Sequence, residues 1–210
     1  MKIQILVDNP NSWIVRYANE LYEQLASIGH DASILTRHDQ IEAGDILVLL
    51  GCEKILKQLS LNKHNLVVHE SDLPAGKGWS PMSWQILEGK NHIPITLFEA
   101  DNKVDAGLYY YKEIIELSGA EFIDEIRALQ GIKSIELVIR FVKNFPNIRP
   151  ITQYGEETFY KKRRPEHSQL SLDRSLREQI NLLRIVDNDR YPAFFVWHGR
   201  KVIINVLPED

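Results

Sequence analysis

The sequence predicts an α/β fold, in which a mostly parallel sheet is followed by a small C-terminal extension of one helix and one hairpin. Short apolar runs alternate with helical patterns over the first half of the chain, and glycine residues stand where the helices should end. Near the C-terminus, two apolar runs flank a His-Gly pair. The composition changes near residue 165, so we predict a main domain at 1–165 and an extension at 166–210.

Four apolar runs are predicted to be parallel strands that are buried on both faces of the sheet. They are KIQILV (2–7), DASILT (31–36), DILVLLG (45–51) and NLVVHE (65–70). Residues 14–29 carry apolar side chains at helical spacing and end at Gly29, which is typical of a helix C-terminus.

The middle of the chain begins with a helix that Ser80 is expected to cap, with Pro81 in its first turn and Gly89 at its end. The remaining elements are predicted in this order: strands at 93–100 and 106–114, helices at 119–130 and 134–145, a connection at 146–170, a helix at 175–187 and a hairpin at 193–206.

Composition limits the classes of function. The chain has 210 residues and a formal net charge of -4, whereas proteins that wrap nucleic acid are more often basic. Its single cysteine, Cys52, excludes an intramolecular disulfide and fits a reducing compartment. The N-terminus lacks a signal-peptide pattern, and no apolar run is long enough to span a membrane. We therefore expect a cytoplasmic protein with neither a nucleic-acid nor a membrane partner.

Several familiar motifs are missing. The loop after the first strand, DNPNSW (8–13), lacks the glycines of a dinucleotide site, and the chain has no Walker-type phosphate loop. The His and Cys residues do not have metal-ligand spacing, so we expect no metal. The run KKRR (161–164) is interpreted as a solvated loop rather than a phosphate site, and YYY (109–111) as packing rather than a stacking platform.

His69 ends the fourth predicted strand and is followed by Glu70 and Ser71. Ligands of open parallel sheets bind at this end of the strands. Asp105 lies in a predicted tight turn between two later strands. Taken alone, His69 is as consistent with a structural histidine as with a catalyst, and Asp105 is more simply a turn residue.

The two segments VVHESDLPAGKGWSPMSWQILEG and IPITLFEADNKVDAGLYYYKEI together resemble the folate-dependent formyltransferases. In that family a strand ends in Asn-x-His, and a Ser-Leu-Leu-Pro-like turn, a Gly-x-x-Pro-x-x-Trp helix start and an Asp-x-Gly turn follow. The matching residues are His69, Ser71, Leu73, Pro74, Gly78, Pro81, Trp84, Gly89, Thr96, Asp105 and Gly107. The segment DILVLLGCEKIL (45–56) resembles the strand and loop that contact the folate, so the resemblance extends from about Asp45 onward.

This resemblance implies a Rossmann-like formyltransferase fold and an enzyme that uses N10-formyltetrahydrofolate as cosubstrate, without a metal. It implies catalytic roles for His69 as a donor to the developing oxyanion and for Asp105 as a proton shuttle. The implied binding residues are Gly51, Cys52, Glu53, Ser71, Leu73, Pro74, Gly78, Trp79 and Ser80. One position departs from the pattern, because Val67 stands where the family has its asparagine.

The members that formylate amino sugars for surface polysaccharides are the most similar. The short, acidic chain fits them better than the tRNA-acting members, which append a larger RNA-binding domain. We therefore expect the acceptor to be the primary amine of an amino sugar, carried on a nucleotide. Because Val67 replaces the asparagine, a formyl-folate hydrolase and a non-catalytic folate or sugar binder stay open as alternatives.

A homodimer is a further expectation. The hairpin at 193–206 is apolar, and an open hairpin edge favours association unless it is covered. Packing of the hairpin on its own core is an equally good interpretation.

Overall fold

The computed structural model describes residues 1–209, which form ten strands, four α-helices and short 3₁₀ turns. In chain order the elements are β1 (Lys2–Leu6), α1 (Val15–Ser27), β2 (Asp31–Leu35), β3 (Gly44–Leu49), β4 (Asn62–His69), β5 (Lys77–Gly78), α2 (Pro81–Leu87), β6 (His92–Glu99), β7 (Tyr109–Glu116), α3 (Ile123–Asn144), β8 (Phe159–Tyr160), α4 (Ile180–Arg184), β9 (Ala193–Trp197) and β10 (Arg200–Ile204).

Six strands form the central sheet in the order β2-β1-β3-β4-β6-β7. The first four run parallel, and β6 is antiparallel to both of its neighbours. The predicted mostly parallel α/β fold is therefore confirmed. The carboxyl ends of β1, β3 and β4 meet at one edge of this sheet, which is where open α/β sheets bind ligands.

The sheet is covered on both faces, as its continuous apolar strands predict. Alternate residues of β3 enter different clusters: Ile46 and Val48 pack with the helices, and Leu47 and Leu49 pack under the opposite loops. In β4 the alternation continues, because Leu66 belongs to the helix-side cluster and Val67 packs against the other one. The two clusters therefore lie on opposite faces of β4, which ends at His69.

Helix α3 corrects the prediction of two separate helices at 119–130 and 134–145. It runs without a break through Gly131, one of the three residues between the two patterns. A Cβ built at Gly131 would lie 2.4 Å from Cγ of Tyr17, so the glycine admits the ring of an α1 side chain. Gly131 is therefore a packing contact between two helices.

Two helix predictions were wrong in detail. Ser80 occupies the N-cap position of α2, but its φ of 52° is left-handed and its side chain makes no capping hydrogen bond. The helix predicted at 175–187 is reduced to a 3₁₀ turn at Arg177–Gln179 and the short α4. The C-terminal hairpin was predicted correctly: β9 and β10 are antiparallel, and His198 and Gly199 at the turn have positive φ.

The extension is attached to the main part of the chain through a buried arginine. Arg184 of α4 is 2% exposed and donates to the carbonyl of Glu121 and to Oδ1 of Asn91. A separate small cluster of Leu170, Val186 and Ala193 lies under the hairpin. Within residues 1–209, no helix is both long and apolar enough to cross a membrane.

Candidate active site

A cavity of about 460 Å³ opens at the carboxyl ends of β3 and β4. This volume lies within the range of sites for small molecules. Both faces of the sheet contribute to its wall, together with α2, α3 and the C-terminal extension. His69 and Asp105 both line it.

His69 is the last residue of β4 and is 7% exposed. Its Nε2 lies 2.9 Å from the carbonyl oxygen of Gly76. A carbonyl only accepts hydrogen bonds, so Nε2 carries a proton and donates it. Nδ1 is left as the ring nitrogen with no hydrogen-bond partner among residues 1–209.

The turn between β6 and β7 carries Asp105 to the same place. Its Oδ2 lies 3.7 Å from Nε2 of His69 and accepts a hydrogen bond of 2.8 Å from the backbone N–H of Gly78. Asp105 has a φ of 50°, a left-handed conformation that aspartate tolerates better than most residues. The structure thus brings together the two residues that only the family resemblance connected in the sequence.

A close backbone approach fixes this turn. A Cβ at Gly107 would lie 1.7 Å from the carbonyl oxygen of Glu99, so only glycine fits there. The side chain of Gln153 adds two hydrogen bonds, to the carbonyl oxygens of Asp105 at 3.0 Å and of Gly107 at 2.7 Å. Gln153 comes from the segment predicted to be a connection at 146–170.

The same segment also holds the loop that follows β4. Strand β8 pairs with β5 in parallel. The backbone N–H of Lys77 donates to the carbonyl of Thr158 at 2.9 Å, and that of Trp79 donates to Tyr160 at 3.2 Å. This clamp fixes the loop whose Gly76 and Gly78 contact His69 and Asp105.

One half of the cavity is apolar. Its wall there consists of Leu49, Leu56, Val67, Phe98, Ala100 and Val104. Cys52 lies beside this half, and burial raises the pKa of its thiol to about 12. The thiol therefore stays protonated at neutral pH and is not a nucleophile.

The other half, which also has apolar residues such as Ile14, Met82 and Ile86 in its wall, contains a group of polar side chains. Glu70, Gln130 and Ser134 line it, with Arg127 beside them. Arg127 is already engaged, because its guanidinium lies 2.5 Å from a carboxylate oxygen of Asp187. Burial raises the pKa of Glu70 above the usual range, and the nearby His69 offsets part of that shift.

Most of the predicted site residues surround this cavity, and three do not. Gly51, Cys52, Glu53, Gly78, Trp79 and Ser80 line it along with the His-Asp pair. Ser71, Leu73 and Pro74 are buried behind the wall, outside the lining. They shape the loop without reaching the cavity.

The interpretation of the basic run 161–164 as fully solvated was wrong for one member. Arg163 is 5% exposed and donates to the carbonyl of Ile185 at 2.7 Å. Its neighbour Lys162 lies 4.2 Å from the ring centroid of Trp79 at the cavity wall. The packing role predicted for 109–111 agrees with Tyr110, which is 7% exposed.

Sequence reasoning gave no role to several lining residues, including Trp13, Phe98, Arg127, Gln130 and Arg190. These residues are spread over several elements and loops, and none is among the residues that match the family pattern. Residues 1–209 contain no group of three or more His, Cys, Asp or Glu side chains that could hold a metal ion.

No model of a known protein family matches the chain. Among curated proteins, methionyl-tRNA formyltransferase of a Nitratiruptor species is 25% identical over 188 residues, which are 87% of this chain and 53% of that protein. The chain spans about half the length, or less, of the curated relatives it matches.

Three solved structures have a similar fold. A methionyl-tRNA formyltransferase from Clostridium thermocellum has a TM-score of 0.80 at 20% identity, with 97% of each chain covered. HypX from Aquifex aeolicus in complex with tetrahydrofolic acid has a TM-score of 0.80 at 18% identity and covers 97% of this chain and 37% of its own. A sugar N-formyltransferase from a Shewanella species has a TM-score of 0.72 at 16% identity and covers 100% of this chain and 98% of its own.

These comparisons confirm the resemblance that the His69–Asp105 segment indicated. The chain has the formyltransferase fold and is similar in sequence to methionyl-tRNA formyltransferases.

Proposed function

We propose that the protein is an enzyme that transfers a formyl group from N10-formyltetrahydrofolate to the primary amine of a nucleotide-linked amino sugar. The observation that carries this proposal is the His69–Asp105 pair at the carboxyl end of β4, where Nε2 of His69 lies 3.7 Å from Oδ2 of Asp105. The relationship to formyltransferases, and a structural neighbour that holds tetrahydrofolic acid, support the formyl donor.

The apolar half of the cavity fits the donor. A folate carries a flat aromatic ring system, and the side chains of Leu49, Val67 and Phe98 offer an apolar wall for it. The loop at Gly51, Cys52 and Glu53 borders this half. The bound donor would supply the formyl carbon that the amine attacks.

His69 and Asp105 are suited to the two demands of this reaction. The formyl oxygen gains negative charge in the transition state, and His69 is placed to donate a hydrogen bond to it. The attacking amine loses a proton, and the nitrogen of the leaving folate gains one. Asp105 is placed to accept the first proton and return it to the folate nitrogen.

Three other functions have their own support. Methionyl-tRNA formyltransferases are relatives in sequence, so a charged tRNA is a second candidate acceptor. The other two functions follow from Val67, which replaces the family's asparagine. They are hydrolysis of the formyl donor and binding without catalysis. The net charge of -4 and the Shewanella neighbour favour the sugar.

One assay separates these functions. The protein is incubated with N10-formyltetrahydrofolate and, in parallel, nucleoside-diphosphate sugars with a primary amine at carbon 3 or carbon 4, initiator methionyl-tRNA, or buffer. Mass spectrometry of the acceptor and a formate assay report the products. We expect one formyl group on an amino sugar. Formylated tRNA, formate alone, or folate binding without a product would each contradict the proposal and support the corresponding alternative function.

Val67→Asn tests how the site works without the family's asparagine. Val67 packs against the apolar cluster around Leu49 and Leu56. An unpaired amide there costs about 1–3 kcal/mol of folding free energy, and we expect formyl transfer to fall because the amide disturbs the donor's apolar wall. Val67→Ala, which keeps the wall apolar, is the matched control. A rise in turnover would show that the wild-type site lacks a donor.

Dimer formation through the hairpin is a further part of the proposal. Trp197 is 57% exposed and Ile203 58% exposed, so part of the hairpin is left uncovered by its own chain. Multi-angle light scattering at micromolar concentration is expected to give the mass of two chains, and Trp197→Ser with Ile203→Ser to give one. A monomeric wild type would contradict the proposed dimer.

The domain boundary at residue 165 and the cytoplasmic location stay predictions.

A further inference from the structure

Glu70 has no function in the reaction as described, although it lines the cavity directly after His69. Side chains alternate between the faces of a strand, so Glu70 continues the helix-side face of β4 while His69 continues the other. The rest of β4 supports this, because Val67 packs against the loop-side cluster and Val68 against the helix-side one. The cavity therefore passes around the end of β4, from an apolar half to a half that contains Glu70.

The protein orients this carboxylate without neutralising it. Nε2 of Gln130 in α3 donates to Oε1 of Glu70 at 2.7 Å. Within residues 1–209, no Lys, Arg or His nitrogen lies within the 4.0 Å of an ion pair with Glu70, and Oε2 accepts no hydrogen bond from another residue. Arg127, which lines the same half of the cavity, is paired with Asp187. One carboxylate oxygen is thus left for a ligand.

The backbone beneath Glu70 is also fixed. Nε2 of Gln85 in α2 donates to the carbonyl oxygen of Glu70 at 2.6 Å, and Gln85 itself is 4% exposed. Two amide side chains from different helices therefore hold the main chain and the side chain of one acidic residue. This amount of support is typical of a binding group, whose geometry has to be set before the ligand arrives.

A desolvated carboxylate without a cation is costly, and it is best satisfied by a ligand that carries positive charge and donates hydrogen bonds. A primary aliphatic amine at neutral pH is largely an ammonium ion with three N–H donors. We propose that Glu70 binds the amino group of the acceptor as its ammonium ion and so selects amino sugars over the corresponding hydroxyl sugars. The ammonium ion releases one proton to solvent before the neutral amine attacks the formyl carbon. This inference rests on the proposed function for the identity of the acceptor.

The test compares affinities and does not depend on turnover. Calorimetry measures the binding of nucleoside-diphosphate sugars with an amine at carbon 3 or carbon 4, each beside the same sugar with a hydroxyl there. We expect Glu70→Gln to weaken binding of one amino sugar about 10- to 100-fold and to leave the hydroxyl sugar unchanged. The glutamine keeps the size of the side chain and can still accept from Gln130, so the fold is expected to survive.

Two further variants sharpen the result. Glu70→Asp keeps the charge on a shorter side chain and is expected to retain part of the preference for amines. Glu116→Gln makes the same chemical change at an exposed residue of β7, whose carboxylate pairs with His92, and is expected to bind all the sugars as the wild type does. Loss of the preference in Glu116→Gln as well would contradict a specific role for Glu70.

The outcomes separate this inference from the proposed function. If the wild type binds amino and hydroxyl sugars equally, or if Glu70→Gln keeps the preference, the assignment of Glu70 is wrong even when formyl transfer is observed. If the wild type prefers amines through Glu70 but transfers no formyl group, the ammonium site stands and the proposed function falls.

Discussion

A His69→Ala enzyme is expected to transfer formyl groups about 10²–10³ times more slowly than the wild type, the usual loss for one oxyanion donor. The carbonyl oxygen of Gly76 accepts the hydrogen bond from Nε2–H, so a hydrogen bond to the formyl oxygen has to come from Nδ1. Nδ1 donates only when the ring carries both protons. Oδ2 of Asp105 lies 3.7 Å from Nε2, on the other side of the ring.

His69→Asn is expected to fall between the wild type and His69→Ala, since the amide keeps an N–H donor of shorter reach. Single-turnover rates measured with donor and acceptor at saturation report the loss. His92→Ala is the matched control, because His92 is an exposed residue whose side chain is 76% accessible and lies outside the cavity. A His69→Ala enzyme as fast as the wild type would assign His69 a structural role only.

The main sheet could be predicted because its strands carry a strong local signal. Runs such as 2–7 and 45–51 are apolar throughout most of their length, and a strand covered on both faces explains such a run. Helix α3 could not be predicted as one element, because the reason for Gly131 is the ring of Tyr17, more than a hundred residues away in sequence. A glycine that avoids a distant side chain looks the same, in one sequence, as a glycine that ends a helix.

In the C-terminal extension, the sequence predicted a longer helix than the structure contains. The apolar pattern at 175–187 predicted a full helix, yet α4 is short. Two of the residues in that pattern serve tertiary contacts: Arg184 is buried against Asn91, and Asp187 pairs with Arg127. Tertiary contacts of this kind override the local preference for a helix.

The candidate site divides in the same way. His69 and Asp105 could be found because they belong to a family pattern with fixed spacing. The half of the cavity that contains Glu70 could not be found from the sequence. Its main hydrogen bond joins Glu70 to Gln130, which lies 60 positions later within the long helix α3. Val67 was recognised as a departure, and its contacts with the apolar cluster give that departure a physical context.

Asp105→Asn is expected to have the largest effect of any single change, lowering turnover about 10²–10⁴-fold. The asparagine keeps the shape of the side chain, and its Oδ1 can still accept the hydrogen bond from Gly78 N–H that the carboxylate now accepts at 2.8 Å. The turn should therefore survive, because Gln153 and the close approach of Gly107 also hold it. What is lost is a group that can take a proton.

Because Asp105 acts on the proton in transit, its replacement is expected to change turnover while leaving the affinities for folate and amino sugar nearly unchanged. Measuring the dissociation constants by calorimetry beside the single-turnover rate separates the two effects. Asp173→Asn, the same change at an exposed residue of the extension, is the matched control. Wild-type turnover in Asp105→Asn would mean that the carboxylate serves only the turn, and the main reason for placing the reaction between this turn and the end of β4 would disappear.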